Sequence, residues 1–170
     1  MTLSLRLDPK TKFILDFVAR IKGQSITTVV ERAIKDMADR LGMGVNYDDV
    51  GIPTHTPTWS DFWDPNEGVR TLKLLRYENY PTSFDEDELI DFTLNHDLFF
   101  YLDSRCREPN RALISILWPR IDHYLEIWRQ TKRTDHWAAR EAMKADLAAA
   151  GVAPPDGPPA SRASDDSCKL

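Results

Sequence analysis

Residues 2–9 read Thr2-Leu3-Ser4-Leu5-Arg6-Leu7-Asp8-Pro9 and determine how the fold begins. Polar and apolar side chains alternate through residue 7, which is the period of a β-strand with one buried face. Asp8 then supplies a side chain that can cap a helix, and Pro9 follows at the first helical position, where a missing N–H costs nothing. The stretch therefore predicts a strand that leads directly into a helix, with Leu3, Leu5 and Leu7 facing inward.

Two helices, each with one apolar face, are predicted after the strand. The first ends at Gly23, which can adopt the left-handed conformation of a helix C-terminus, and the second begins at Ser25 as its cap and ends at Gly42. The apolar residues of the first recur at helical spacing at Phe13, Ile14, Phe17, Val18 and Ile21. Those of the second are Ile26, Val29, Val30, Ala33, Ile34, Met37, Ala38 and Leu41.

One strand and two helices of about 40 residues in total cannot bury three apolar faces alone, because a strand needs a paired neighbour and so small a core is marginal. The simplest source of the missing half is a second copy of the chain. Two N-terminal strands would then pair as an antiparallel ribbon, and four helices would close over it around a two-fold axis. The predicted core of this homodimer consists of Leu3, Leu5, Leu7, Phe17, Val30 and Ile34.

The order of elements in residues 2–42, with the turn Gly23-Gln24-Ser25-Ile26-Thr27, resembles the ribbon-helix-helix family of bacterial, phage and plasmid repressors. In that family the ribbon enters the major groove of DNA and its outward side chains read base edges. The resemblance implies base contacts from Thr2, Ser4 and Arg6. Arg6 is expected to be the main specificity residue, since arginine binds guanine through two hydrogen bonds.

The resemblance also implies a phosphate contact at the start of the second helix. Backbone N–H groups and the positive end of the helix dipole face the DNA backbone there in the family. Ser25, Ile26 and Thr27 occupy that position in this chain. Such contacts fix the register and orientation of the protein on DNA without reading sequence.

The charge distribution predicts that binding to phosphates is confined to the first 42 residues. The chain has a formal net charge of -5, and residues 1–42 contain eight Lys/Arg and five Asp/Glu, or +3, which leaves -8 for the remainder. This basic N-terminal region on an otherwise acidic chain predicts that residues 1–42 alone bind double-stranded DNA.

The remainder is predicted to form a second, all-helical domain, which makes the fold class mainly α. Residues 43–58 are rich in Gly, Pro, Asn, Asp and Thr and indicate a linker or an extended segment that lies over its neighbour. Residues 59–150 contain all five tryptophans, which predicts a large aromatic core, and residues 151–170 begin with a proline-rich stretch that indicates a disordered tail.

Local signals place the helices of the second domain. Pro65 marks a short helix over residues 65–78, and Ser83 with Glu86 has the spacing of a capping box for a helix through about Leu102. The apolar stripe of residues 110–132 continues through Pro119, which predicts a kinked helix or two nearly coaxial helices. Thr134 or Asp135 can cap a last helix that runs to about Ala150.

The sequence contains no recognisable catalytic motif. The four histidines lack paired zinc-ligand spacing, and Cys106 and Cys168 form no Cys-x-x-Cys. No catalytic residue, metal or cofactor is therefore expected, and an enzyme is the least supported class. The aromatic run Phe99-Phe100-Tyr101 either lines an effector pocket or fills a core, and a core is the better prediction.

We expect a soluble protein of the cytoplasm, associated with the nucleoid. Charged residues interrupt every apolar stretch near the N-terminus, no run is long enough for a membrane span, and the two cysteines do not indicate a disulfide framework.

The leading functional hypothesis is a sequence-specific transcriptional regulator, a repressor that binds operator DNA as a homodimer or higher oligomer. Residues 59–150 would then bind a small effector or another protein. One alternative is an antitoxin whose acidic C-terminal domain covers a basic toxin. Another is an accessory DNA-binding protein for plasmid transfer or partition, which differs only in the location of its binding sites.

Overall fold

The computed structural model describes residues 4, 6–47, 50–77, 80–103 and 105–155. The chain is mainly helical and includes a small two-stranded sheet. It divides into two compact units, an N-terminal unit of residues 1–61 and a C-terminal unit of residues 62–170. The boundary lies between Asp61 and Phe62. Trp59 was predicted to begin the second domain, but it belongs to the N-terminal unit.

Helices α1 (Pro9–Lys22) and α2 (Ile26–Ala38) form a helical pair at the start of the N-terminal unit. As predicted, the Asp8 carboxylate caps α1 and accepts hydrogen bonds from the N–H groups of Lys10 and Thr11 at 3.0 and 3.1 Å. Gly23 has φ 60°, a conformation that favours glycine, and ends α1. Ser25 caps α2, which ends at Ala38, before the predicted end at Gly42.

The predicted strand falls partly outside the described residues, which exclude Thr2, Leu3 and Leu5. Ser4 and residues 6–8 are exposed in the single chain and carry no strand assignment. A strand is defined by hydrogen bonds to a neighbouring strand, and the predicted neighbour belongs to a second copy. The ribbon therefore stays a prediction.

The segment predicted as a linker contains a small antiparallel hairpin. Strand β1 (Asn46–Tyr47) pairs with β2 (Pro53–His55), with Asn46 opposite His55 and Tyr47 opposite Pro53. The N–H of Met43 donates to the carbonyl of Pro57 at 2.9 Å, which closes the base of the hairpin. The interpretation of residues 43–58 as an irregular linker was therefore incomplete, because strands of two and three residues leave no readable period.

The remaining helices follow in chain order, and the first crosses the boundary between the units. They are α3 (Trp59–Phe62), α4 (Glu67–Leu75), α5 (Phe84–Asn95), α6 (Asp97–Phe100), α7 (Arg111–Leu117), a 3₁₀ turn (Trp118–Arg120), α8 (Ile121–Thr131) and α9 (Ala138–Ala149).

The capping box at the start of α5 is confirmed. The N–H of Ser83 donates to Glu86 Oε2 at 2.8 Å, and the N–H of Glu86 donates to Ser83 Oγ at 3.4 Å. The predicted continuation to Leu102 was wrong. The backbone leaves helical geometry at His96, which has φ -123° and ψ 36°, and the short helix α6 follows.

The proline signal at position 119 is also confirmed. Two helices, α7 and α8, are joined by a 3₁₀ turn that contains Pro119, and the apolar stripe continues through it. Leu113, Leu117, Leu125 and Trp128 on this stripe are buried.

The core of the C-terminal unit is aromatic and aliphatic, but it is not built mainly from tryptophan. Of the five tryptophans, only Trp128 is buried, and Trp59, Trp63 and Trp137 are exposed. The fully buried large side chains are Tyr124, Phe92, Phe99, Phe100, Leu72, Ile114, Leu117, Met143 and Leu147. The core is aromatic, as predicted, but phenylalanine and tyrosine contribute more to it than tryptophan, since indoles often stay at a surface that offers their N–H a partner.

Helices α4 and α7 approach each other closely at Gly68. A Cβ atom at this position would lie 2.5 Å from Ile114 Cγ2 and 2.5 Å from Trp118 Cδ2, so no larger residue fits without displacement. The two helices can pack this closely because glycine has no Cβ atom.

The start of the predicted tail is ordered against α9. Gly151 has φ 74°, and the N–H of Val152 donates to the carbonyl of Leu147 at 2.9 Å. Val152 packs against the core, so residues 151–155 do not fit the prediction of disorder. The rest of the predicted tail, residues 156–170, lies outside the described residues.

Within the described residues, no helix has the length and apolar character to cross a membrane.

Candidate nucleic-acid interface

Ser4 and Arg6, two of the three predicted base contacts, are exposed immediately before α1. Thr2, the third, lies outside the described residues. The neighbouring Asp8 carboxylate is engaged in the helix cap and also accepts a hydrogen bond from Thr11 Oγ1 at 2.6 Å. This hydrogen bond lowers the pKa of Asp8, which keeps the carboxylate ionised at the positive end of α1.

The predicted phosphate contacts Ser25, Ile26 and Thr27 are all exposed at the N-terminus of α2. Ser25 Oγ accepts a hydrogen bond from the N–H of Thr28 at 3.1 Å and lies 2.9 Å from Thr28 Oγ1. The N–H groups of Ile26 and Thr27 belong to the first turn and have no acceptor within the helix. Since the first turn of α2 contains no acidic residue, these donors are suited to an anion.

Positive charge lies next to this helix end in the sequence. Arg20 and Lys22 are exposed in the last turn of α1, only a short turn before Ser25. The α1–α2 turn thus combines two cations with the unsatisfied N–H groups of a helix start. Such a combination attracts phosphate through both long-range charge and directed hydrogen bonds.

The predicted dimer core is largely exposed in the single chain. Phe17 is 56% exposed, Ile34 59% and Leu7 40%, and Val30 is half-buried. Leu3 and Leu5 lie outside the described residues. Other large apolar side chains of the same unit are also exposed: Phe13, Ile14, Ile21, Ile26, Met37 and Leu41. Within α1 and α2, only Ala19 is buried.

Two residues of this region were not predicted from the sequence. Thr28 places its hydroxyl beside that of Ser25, and the Ser-x-x-Thr spacing at a helix start was the available signal. Trp59 donates its indole N–H to Asp39 at 2.7 Å and packs its ring under Lys35 Nζ, 5.8 Å from the ring centroid. This second contact joins residues far apart in sequence, so no local pattern could reveal it.

The described part of the C-terminal unit buries four polar or charged residues, Asp64, Thr93, His96 and Arg140. In the described part of the chain, no group of three or more His, Cys, Asp or Glu side chains is placed to hold a metal ion. His96 Nδ1 lies 2.9 Å from the Phe92 carbonyl, and burial lowers the pKa of His96. A neutral imidazole that donates to a carbonyl is typical of a core histidine. Phe99, Phe100 and Tyr101 are buried in the core, as predicted.

Comparison with protein-family models, with curated proteins and with solved structures found no match to this chain.

Proposed function

We propose that the chain is a sequence-specific DNA-binding transcriptional regulator, a repressor that binds operator DNA as a homodimer. Residues 2–7 of two copies would pair as an antiparallel ribbon in the major groove. Arg6 would read guanine, Thr2 and Ser4 would make weaker base contacts, and the start of α2 would bind phosphate.

The observation that carries the proposal is the exposed apolar face of a well-capped helical pair. Both helices have defined caps at Asp8 and Ser25, yet Phe17 and Ile34 remain more than half exposed. Apolar surface of this extent is unusual on a monomer and marks an interaction site. A second copy supplies a matching face by symmetry, and the same pairing would present Arg6 twice across a two-fold operator.

The C-terminal unit supports a regulator with a folded second module. Its core is buried within one chain, around residues such as Phe92, Ile114 and Leu147. A segment that neutralises a toxin by folding on it would lack such a core of its own. We therefore favour a repressor with an effector or protein-binding module over an antitoxin, and the cytoplasmic nucleoid as its location.

The test is unbiased selection of bound DNA fragments with the purified full-length protein, followed by gel-shift titration of the selected site. We expect a two-fold symmetric site. The Arg6→Ala variant should lose about 1–3 kcal/mol of discrimination between the selected site and unrelated DNA. The matched control is Lys144→Ala, which also removes one partly exposed positive charge but lies on α9 of the C-terminal unit.

Arg6→Lys sharpens the result, because lysine keeps the charge and loses the two-pronged geometry. We expect it to retain non-specific binding and to lose guanine preference. Undiminished discrimination in Arg6→Ala, or an equal loss in Lys144→Ala, would disprove the proposed ribbon contact. Failure to select any DNA sequence would remove the proposal as a whole.

A further inference from the structure

A cluster of cationic side chains surrounds one buried carboxylate in the C-terminal unit. Asp64 is 4% exposed and precedes α4. Arg111 Nη2 donates to Asp64 Oδ2, and Lys73 Nζ lies 3.7 Å from the same oxygen. Arg70 Nη1 donates to the backbone carbonyl of Asp64 at 3.3 Å. Three cations from α4 and α7 are thus gathered around a single buried acid.

The carboxylate of Asp64 is occupied by structural contacts. Its Oδ1 accepts the N–H of Asn66 at 2.9 Å, and Arg111 bridges it to α7. The hydrogen bond from Arg111 lowers the pKa of Asp64, so this carboxylate is ionised. Asn66 adds a second link between the two helices, since its Nδ2 donates to Ser115 Oγ at 2.9 Å. The turn before α4 is therefore fixed in place, and the cations next to it are held with it.

The cations retain surface for a ligand. The side chains of Arg111, Lys73 and Arg70 are 55%, 36% and 35% exposed. At 3.7 Å, Lys73 Nζ forms an ion pair with Asp64 but lies beyond hydrogen-bond distance of this carboxylate. Glu67 lies 3.8 Å from Arg70 and is 70% exposed, so it is a weak, solvated partner. Three cations against two carboxylates leave a net charge of +1 in a region that is acidic as a whole.

An exposed aromatic ring lies beside these cations. Trp63 is 59% exposed, and the guanidinium carbon of Arg70 lies 5.3 Å from the centroid of a Trp63 ring. The contact orients the indole while leaving most of it accessible. Cations that can donate to phosphate next to an indole that can stack on a base are the two elements of nucleotide recognition.

We propose that Arg70, Lys73 and Arg111 bind the phosphate group of a small nucleotide-like ligand whose planar ring stacks on Trp63. We infer a small ligand because residues 43–170 have a net charge of -8, which disfavours the approach of a long polyanion. The binding does not depend on the proposed DNA contact. Control of operator binding by such an anionic ligand would rest on the proposed DNA-binding function.

Isothermal titration calorimetry of the full-length protein at low ionic strength tests the proposal, with AMP, adenosine and inorganic phosphate as probes. We expect AMP to bind more tightly than phosphate and phosphate more tightly than adenosine. The double variant Arg70→Gln/Lys73→Gln should weaken AMP binding at least about tenfold, the effect of one charge-assisted hydrogen bond. Arg111 is left unchanged because it links Asp64 to α7.

The matched control is Arg107→Gln/Lys144→Gln, which removes one arginine and one lysine elsewhere in the same unit. It should bind AMP like the wild type. Trp63→Ala should weaken AMP binding and leave phosphate binding unchanged, and circular dichroism verifies that each variant is folded.

Three results would overturn the proposal. They are AMP binding no tighter than adenosine binding, equal affinity in the Arg70→Gln/Lys73→Gln variant, and a loss of affinity for random duplex DNA in that variant as large as the loss for AMP. The last result would assign the cluster to the DNA backbone. The Arg6→Ala variant separates the two proposals, because it should lose operator preference and bind AMP normally.

Discussion

Large apolar residues are mostly exposed in the helical pair α1–α2, whereas those of the C-terminal unit form a buried core. In the pair and its flanks, nine large apolar side chains from Leu7 to Leu41 are at least 40% exposed. In the C-terminal unit, Phe92, Ile114, Leu117 and Tyr124 are completely buried. Both regions have amphipathic helices with good caps. An amphipathic pattern therefore identifies which face of a helix is apolar. Whether that face is buried within the same chain depends on the chain topology.

Removing a buried ring should have the largest effect. Phe92→Ala leaves a cavity among Phe100, Trp128 and His96, whose rings contact Phe92. We expect a loss of about 3–5 kcal/mol in the free energy of unfolding of the C-terminal unit, measured by urea denaturation. The control is Phe84→Ala at a site that is 82% exposed, where we expect a change within about 0.5 kcal/mol. Similar losses in the two variants would contradict the burial described here.

Charge placed on the exposed face of α1 should have the next largest effect. Phe17 and Leu102 are 56% and 60% exposed in the single chain. If Phe17 is covered by a second copy, Phe17→Asp weakens dimerisation roughly a hundredfold, because two buried rings are lost per dimer. Leu102→Asp should leave the dimer intact. Analytical ultracentrifugation over a dilution series makes the comparison, and equal behaviour of the two variants would argue for an unpaired helical face.

Loss of a helix cap should have a smaller effect on stability. Only the cap at the proposed DNA interface should also affect DNA binding. Ser25→Ala and Ser83→Ala each remove a side-chain acceptor at a helix start and should each cost about 1 kcal/mol. Ser25→Ala should also weaken binding to the selected DNA site, since it disturbs the proposed phosphate contact. Ser83→Ala should bind DNA like the wild type. Both effects are measured by thermal denaturation and gel shift, and a DNA defect in Ser83→Ala alone would reverse the proposed roles of the units.

The smallest expected effect is a pH dependence confined to the C-terminal unit. Burial lowers the pKa of His96 below its ordinary value of 6.5, so the unfolded chain binds this proton more readily than the folded chain. Stability from this group is present above pH 6.5 and is lost as the pH falls through 6.5 and below. The Asp and Glu residues whose pKa is lowered lose their contribution only near and below their ordinary values of 3.8 and 4.5. Urea denaturation at pH 7.5 and 5.5 should therefore show a decrease in wild type that is reduced in His96→Gln.

Short-range signals predicted the starts of α1, α2 and α5 and the break at Pro119. Asp8, Ser25 and Ser83 cap helices as expected, and Pro119 separates two helices whose apolar stripe continues. Each of these signals acts through a hydrogen bond or a missing donor within one helical turn. The sequence alone was therefore sufficient to place them.

Features that depend on contacts between distant residues were not predicted. The Trp59–Asp39 hydrogen bond joins the end of the hairpin segment to α2, and the cluster around Asp64 joins α4 to α7. The exposure of Trp63 and Trp137 likewise depends on which helices meet. Of the candidate DNA interface, the sequence predicted the exposed positions Ser4, Arg6 and Ser25, and their pairing across two chains stays a prediction.

Gly68 offers a way to control the two units separately. Because a methyl group at this position would press on Ile114 and Trp118, Gly68→Ala should lower the melting temperature of the C-terminal unit while leaving the helical pair unaffected. In a cell carrying this allele, we expect the proposed activities of both units at permissive temperature and only the proposed DNA binding of the first 61 residues at elevated temperature. The missing Cβ of Gly68 thus offers a temperature-sensitive allele with which the contribution of each unit can be measured in vivo.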